Sequence, residues 1–392
     1  MAFVLRPPVP DGGGSKRSRD RKGAGALLML FLLACLHAQT ADPEEILKRA
    51  IGLHQAGNID GAIQAYQQYL AQRPDSLMAL SNLGAAYAKV ARYQDAIVQY
   101  RRALKLQPGN TRVELNLALA FYKSGQPEPA ASTLEKVHSA APDELQPILL
   151  LADCWLAMGE NRKVIELLTP VAESRPADLA IAYQLGMALV RDNQPARGQI
   201  FIDRILRNGD SAETWLLLGT AKLNARDYPA ALADLSKAVA LNGSLPDVYS
   251  YYGQALLRTG DPVAATDAFR KALAANPYDF TANLQLGSLL KDDEKFEESI
   301  ACLRRALQVR PNDPGVRYQL ATIAMHDGKL EAARRDLEAI VKEAPAYREA
   351  HVTLATVYYR LNRKADGDRE RAIVSRLNAE AQAKQQEGIN VK

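Results

Sequence analysis

Along most of this chain, apolar and small residues recur in two short helical patterns per unit. Residues 77–110 show the unit most clearly. Leu80, Leu83-Gly84 and Tyr87 fall on one face of a first predicted helix, because residues three and four apart share a helical face. Ala96, Tyr100 and Ala103 do the same in a second helix. Gly84, Ala96 and Ala103 let the two helices approach closely, and Tyr100 fills the space that remains. Pro108 ends the second helix, since proline lacks the amide donor and biases the preceding residue away from helix. Residues 246–279 repeat the arrangement with Tyr249, Tyr252-Gly253, Leu256, Ala265, Phe269, Ala272 and Pro277.

The period is 34 residues. Pro74, Pro108, Pro142 and Pro176 mark it, and Pro277, Pro311 and Pro345 resume it. This register divides the chain into ten units: 43–76, 77–110, 111–144, 145–178, 179–211, 212–245, 246–279, 280–313, 314–347 and a partial tenth, 348–362. The fifth is one residue short, has Gly198 at the small position of its second helix and lacks the terminal proline. The sixth keeps Trp215, Leu218-Gly219 and Ala231 but ends in Asn242-Gly243. An altered turn is therefore expected around Asn208-Gly209-Asp210. The tenth keeps Leu354-Ala355 and Tyr358, then loses the pattern. Residues 363–392 are expected to form a capping helix and tail, with Ile373, Leu377 and Ala381 on one face and charge elsewhere.

These units resemble the tetratricopeptide repeat, whose pattern runs W-x2-L-G-x2-Y and then A, F, A and P; the resemblance covers residues 43–362. It implies an all-α fold, a right-handed α-solenoid superhelix of tandem helix-turn-helix units closed by the C-terminal capping helix. It also implies that first helices line a concave groove through positions 2, 5, 9, 12 and 13 of each unit. Those positions hold Leu115, Leu119 and Tyr122 in the third unit and Leu149, Asp153 and Leu156 in the fourth. The fifth contributes Tyr183, Met187 and Arg191, and the sixth Leu216, Thr220 and Leu223. Later units turn more polar, with Ser250, Gln254, Arg258, Ser288, Lys291, Tyr318, Thr322, Thr356, Tyr359 and Arg360. The expectation is an apolar strip over units three to six that accepts an extended or helical peptide; mutual packing of the same side chains is the alternative. Some members of this family hold a C-terminal carboxylate with Lys, Asn and Arg. Asn82 and Arg112 match two of those positions, whereas Leu47, Ile51 and Asn116 do not fit the other three.

Composition agrees with helix: 47% of residues are hydrophobic but only 6% aromatic, and much of the remainder is Ala and Leu, strong helix formers. The net charge of +4 is local in origin. Six of the 49 basic and three of the 45 acidic residues lie in residues 1–42, which leaves 43 against 42 in the rest. No clustered basic face points to nucleic acid. Residues 1–42 read instead as an export segment: KRSRDRK at 16–22, an apolar run from Ala24 to Leu36, then small residues near Ala38 and Thr40. The run is short for a membrane span. Phe31-Leu32-Leu33-Ala34-Cys35 also resembles a bacterial lipobox, so a cleaved signal, a lipoprotein modified at Cys35 and an uncleaved anchor stay open. The basic part is long enough that translation could begin downstream of Met1.

Candidate chemistry is sparse. The sequence has no HExxH, GxxxxGK[ST], GxGxxG or CxxC motif, and no catalytic group, cofactor or metal site is expected. The five His (His37, His54, His138, His326 and His351) are expected at surface or groove positions. Cys154 and Cys302 lie four units apart and read as small core residues rather than a disulfide. The expected role is a non-enzymatic scaffold for a protein or peptide, exported to the periplasm or envelope. The alternative is a structural envelope-assembly lipoprotein of an outer-membrane, secretion or polysaccharide-export system.

Overall fold

The computed structural model of the protein describes residues 42–207 and 209–390, with side chains through residue 383. Residues 1–41 lie outside it, and with them the export segment and Cys35. The described residues form twenty helices and no strand. In chain order, paired by unit, they are α1 Pro43–Gln55 and α2 Ile59–Gln72; α3 Leu77–Lys89 and α4 Tyr93–Leu106; α5 Thr111–Lys123 and α6 Pro127–Ala140; α7 Leu145–Met158 and α8 Asn161–Ser174; α9 Leu179–Arg191 and α10 Pro195–Leu206; α11 Ala212–Asn224 and α12 Tyr228–Leu241; α13 Val248–Arg258 and α14 Pro262–Ala275; α15 Phe280–Asp292 and α16 Phe296–Val309; α17 Pro314–His326 and α18 Leu330–Glu343; α19 Arg348–Arg360 and the long α20 Lys364–Asn390. Among the described residues no helix is long and apolar enough to cross a membrane.

Local chemistry explains these bounds. Most first helices begin after a residue whose side-chain oxygen accepts from an amide of the first turn, as Ser76 does from Ala79, Asn110 from Val113, Asp279 from Ala282 and Asp313 from Val316. Each first helix ends in a left-handed residue, at Gly57, Ala91, Gly125, Gly159, Asn193, Arg226, Gly260, Glu294, Gly328 and Asn362. That conformation turns the chain into the second helix. Within a unit the two helices touch at the small positions. A Cβ on Gly84 would stand 2.6 Å from the Tyr100 ring, and one on Gly253 the same distance from Phe269. Ala96, Ala231 and Ala265 have no exposed surface. The resulting core runs unbroken from Ile46 to Ala255 and continues in smaller clusters to Tyr358. Cys154 and Cys302 are buried in it as free thiols.

Neighbouring units are also stitched along their inner edge. Arg191 donates through Nη1 to the Leu156 carbonyl (3.2 Å), Asn224 to that of Val190 (2.8 Å) and Arg360 to that of Met325 (3.1 Å). Each reaches back one unit and gives a second donor to a last-turn carbonyl that already accepts from the amide of the turn behind its helix (Gly159, Asn193 and Gly328).

Three places depart from the repeat. In the fifth unit α10 has 12 residues where the second helices of the other complete units have 14. There α9 packs on α11 more extensively than any other pair of consecutive first helices, while α10 packs loosely on α11. This joint tightens the inner side of the superhelix. In the seventh unit α13 starts only at Val248 and has 11 residues, after a turn that places Asp247 in the left-handed region (φ 63°). At the C-terminus His351 is buried, contrary to the surface or groove position expected for it. Its ring nitrogens face Glu370 of α20 (2.5 Å) and the Pro345 carbonyl (3.0 Å), which pins α20 to α19.

Candidate functional site: a closed inner surface

The inner surface of the middle units is occupied by the protein itself. Arg191, at the end of α9, extends across the superhelix axis. Its Nε donates to the Tyr251 hydroxyl on α13 (2.6 Å), and its Nη2 pairs with the Asp247 carboxylate (2.9 Å). With the Leu156 contact, the guanidinium thus ties units four, five and seven together. Burial alone would weaken its cation, but the facing Tyr251 and Asp247 outweigh that and hold it more firmly charged than usual. Tyr122 and Tyr183 lie in the same cluster. Burial pushes both phenols well above their ordinary range, and the Asp153 and Asp247 carboxylates push the same way.

Two carboxylates share this interior. Burial raises Asp153 to about 6, against the opposing effect of its bond from Gln184 Nε2 (2.6 Å). Asp279 is likewise raised to about 6, first by burial and then by repulsion from Asp247, while it accepts from Ser250 Oγ (2.5 Å) and the Ala282 amide. Arg310 enters from the far side. Its Nε donates to the Ala157 carbonyl (2.9 Å), and its guanidinium lies 3.8 Å over the Phe280 ring. Burial and the nearby Arg191 charge weaken its cation.

The superhelix therefore closes on itself. Beside the Arg310 contact, Gln308 Nε2 donates to the Ser124 carbonyl (2.9 Å) across 184 residues of sequence, and the Tyr278 ring lies directly on Gly125. Units seven and eight are thus seated on units three and four. A cleft of about 620 Å³ remains on one side of this seam, edged by Tyr93, Tyr122, Tyr249 and Tyr278. A second, of about 580 Å³, lies between Trp155 and Arg310.

The twelve residues expected along the groove separate accordingly. Tyr122, Asp153, Tyr183 and Arg191 come together in the axial cluster. Leu115, Leu149 and Leu223 are half-buried against the core, and Leu156 is buried. Met187, Leu216 and Thr220 are enclosed, and Thr220 bonds back to the Leu216 carbonyl (2.7 Å). Leu119 alone of the twelve is exposed, at 41%. The open apolar strip expected over units three to six is thus corrected to a closed interior, because the tightened fifth joint brings units seven and eight over it. Four members of that interior were absent from the sequence expectation: Asp247, Tyr251, Asp279 and Arg310. Asp247 alone stood at an inner-facing register position, the second of its unit. Among the described residues no group of three or more His, Cys, Asp or Glu is placed to hold a metal ion.

Twenty stacked helices in two-helix units, with small residues at the contacts and first helices inward, define a helical-repeat solenoid. A tetratricopeptide-repeat family model matches residues 47–111, 216–280, 284–346 and 318–367, and a second tetratricopeptide-repeat model matches 87–154. The chain belongs to the tetratricopeptide-repeat family, and its repeats make it a protein-interaction scaffold. It is similar to Tetratricopeptide repeat protein 8 of Caenorhabditis elegans, with 24% identity over 222 residues, 56% of this chain and 44% of that protein. It is also similar to DnaJ protein P58IPK homolog A of Oryza sativa subsp. japonica, with 24% identity over 314 residues, 64% of this chain and 66% of the relative. The chain thus spans less than two thirds of either relative's length. Among solved structures, the Cut9-Hcn1 hetero-tetramer of the APC/C shares the fold: TM-score 0.56, 14% identity, covering 90% of this chain and 79% of that one.

Proposed function

We propose that this protein is a non-enzymatic scaffold that grips a protein or peptide partner from the inner face of units one to three, and that it works after export to the cell envelope. The observation that supports the site is the contrast in accessibility along the inner register positions. In the middle units these are filled by Arg191, Tyr251 and their neighbours. In units two and three Met78 and Leu119 remain 58% and 41% exposed, and Arg112, Lys89 and Lys123 beside them are also exposed. Apolar side chains with a basic border suit a partner segment that brings apolar anchors and flanking acidic residues.

The test is recovery of cross-linked partners from the native envelope with wild-type protein, with Met78→Glu plus Leu119→Glu, and with Val98→Glu. Val98 is 52% exposed on a second helix and serves as the outer control. Loss in the first variant but not in the control is expected. Equal recovery in all three removes the partner from this face.

Export is supported by the basic stretch at 16–22 followed by the apolar run from Ala24 to Leu36. Sequencing the N-terminus of the mature protein tests it, and a start within 37–43 is the expected result. Cys35 supports a second reading, an envelope-assembly lipoprotein. Labelled fatty acid taken up by wild type but not by Cys35→Ala is the result that reading requires.

A further inference from the structure

The seam between units three and four and units seven and eight differs in kind from every joint between consecutive units. Consecutive units share a dry core. The rim of the seam consists of two side-chain bonds to carbonyls, the Tyr278 ring on Gly125 and the Arg310 guanidinium against Gly159, with open clefts on both sides, and behind the rim Arg191 bonds Tyr251 and Asp247 of unit seven. Its acceptors, the Ser124 and Ala157 carbonyls, sit at the ends of α5 and α7, where water can replace the protein donor at little cost. What it encloses is also unlike a core. Tyr122, Tyr183 and Tyr251 carry hydroxyls, and Asp153 and Asp279 are carboxylates that burial holds away from their ordinary ionisation. Such groups suit contact with another chain or with water at least as well as contact with each other.

We propose that this seam is a clasp, an intramolecular contact that closes the superhelix over its own inner surface and opens to extend a partner's contact from units one to three into units four to six. The functional half of this inference rests on the scaffold reading above; the structural half stands on the seam alone. In the closed form the inner tyrosines are unavailable. In the open form units seven and eight swing away from units three and four, Arg191 exchanges its bonds to Tyr251 and Asp247 for water or partner groups, and the fold within each unit is retained.

A matched pair of glycines isolates the seam. Gly125 and Gly57 occupy the same place in their units, both with positive φ (74° and 80°). Alanine is tolerated there, since Ala91 holds φ 58° in the second unit. A Cβ on Gly57 meets nothing within 4 Å, whereas one on Gly125 overlaps the Tyr278 ring. Backbone strain is therefore common to Gly57→Ala and Gly125→Ala, and only the second breaks the clasp.

In the full chain, Gly125→Ala should enlarge the radius of gyration in solution scattering with helical circular dichroism unchanged. It should also speed amide exchange at residues 276–279 and 308–313 about tenfold relative to Gly57→Ala. Gln308→Ala with Arg310→Met should move both readings the same way, which guards against a folding defect peculiar to Gly125. Identical scattering and exchange in the two glycine variants would overturn the clasp. For the functional half, the partner cross-linked to wild type should bind Gly125→Ala more tightly than Gly57→Ala. Equal affinity alongside different scattering leaves a clasp that gates nothing, and the inference falls. A chain that opens as expected while no partner is recovered by any variant counts against the scaffold reading instead.

Discussion

Arg191 and Arg360 occupy the same register position, the thirteenth of their units, and make the same contact with the carbonyl of the preceding first helix. Their surroundings could hardly differ more. Arg191 lies in the closed middle of the superhelix and also carries Tyr251 and Asp247. Arg360, in the last unit, is exposed, and its guanidinium bonds the Met325 carbonyl. The repeat thus fixes where a side chain starts and which carbonyl it reaches. Whether that side chain becomes a structural bolt or a surface group depends on how many units later the superhelix returns to cover it.

Truncation should expose this difference at its largest. Arg191→Ala leaves the half-exposed Asp247 carboxylate without its cation and Tyr251 without its donor, and a loss of about 1.5–3 kcal/mol is expected for removing hydrogen bonds to a charged group that solvent partly screens. Arg360→Ala removes one exposed bond and should cost about 1 kcal/mol or less. Urea unfolding followed by circular dichroism measures both. Comparable losses in the two variants would mean that the middle cluster contributes no more than an ordinary inter-unit stitch. Solenoid units unfold in nearest-neighbour fashion, so the Arg191 variant should also show a broadened or split transition, because it unties units four, five and seven together.

A smaller pair of changes asks whether the rigidity of the middle extends to its helix contacts. A Cβ on Gly253 would stand 2.6 Å from the Phe269 ring, which has no exposed surface and nowhere to move. Overpacking of that kind costs about 1–3 kcal/mol, which outweighs the roughly 1 kcal/mol that alanine gains over glycine within a helix. At Gly367 in α20 the obstacle is the Tyr359 ring at 2.7 Å. That ring is partly exposed and held only at its hydroxyl, by Asp368 and Arg371 of the same helix, so it can swing toward solvent. Gly367→Ala should be near neutral in a thermal melt, and Gly253→Ala clearly destabilising. A reversal would place the soft contact in the middle and the rigid one at the end.

Much of this was legible in the chain. The prolines spaced by 34, the Leu83-Gly84 and Tyr252-Gly253 pairs and the short fifth unit carry the unit, its internal contact and the altered joint, because all three are local and repeat in register. The closure was not legible. It depends on the sum of small rotations over five units, and no single residue encodes a sum. Arg191 was placed on the inner face correctly by its register, yet one of its partners, Tyr251, stands at the sixth position of its unit, which the regular repeat does not direct inward. Asp247 did stand at an inward position, but it reaches Arg191 only because α13 starts late and the turn before it is left-handed.

The response to acid separates the two regions by sign. In the middle, Asp153 and Asp279 sit at about 6, against about 3.9 for an aspartate in an unfolded chain. Between these values the folded state holds more protons than the unfolded one. The middle units must therefore gain stability as pH falls from about 6 to 4 and lose it as pH rises through the same window. The C-terminal units carry the opposite case in Glu338. Burial would raise this carboxyl, but bonds from Tyr358 (2.6 Å) and Arg334 (2.6 Å) outweigh it and hold it below its ordinary value. Its contribution is present at neutral pH and is lost as pH falls through its lowered folded value. Amide exchange resolved by peptide, corrected for the intrinsic pH dependence of exchange, should therefore show α7, α13 and α15 more protected at pH 5 than at pH 7. Between pH 5 and pH 3.5, α18 and α19 should become less protected. Asp153→Asn and Asp279→Asn, which remove the titrating groups and keep most of the hydrogen bonding, should flatten the first change and leave the second intact. Parallel loss of protection in both regions on acidification would show that the middle carboxylates are solvated, and that the inner surface of this solenoid stands open.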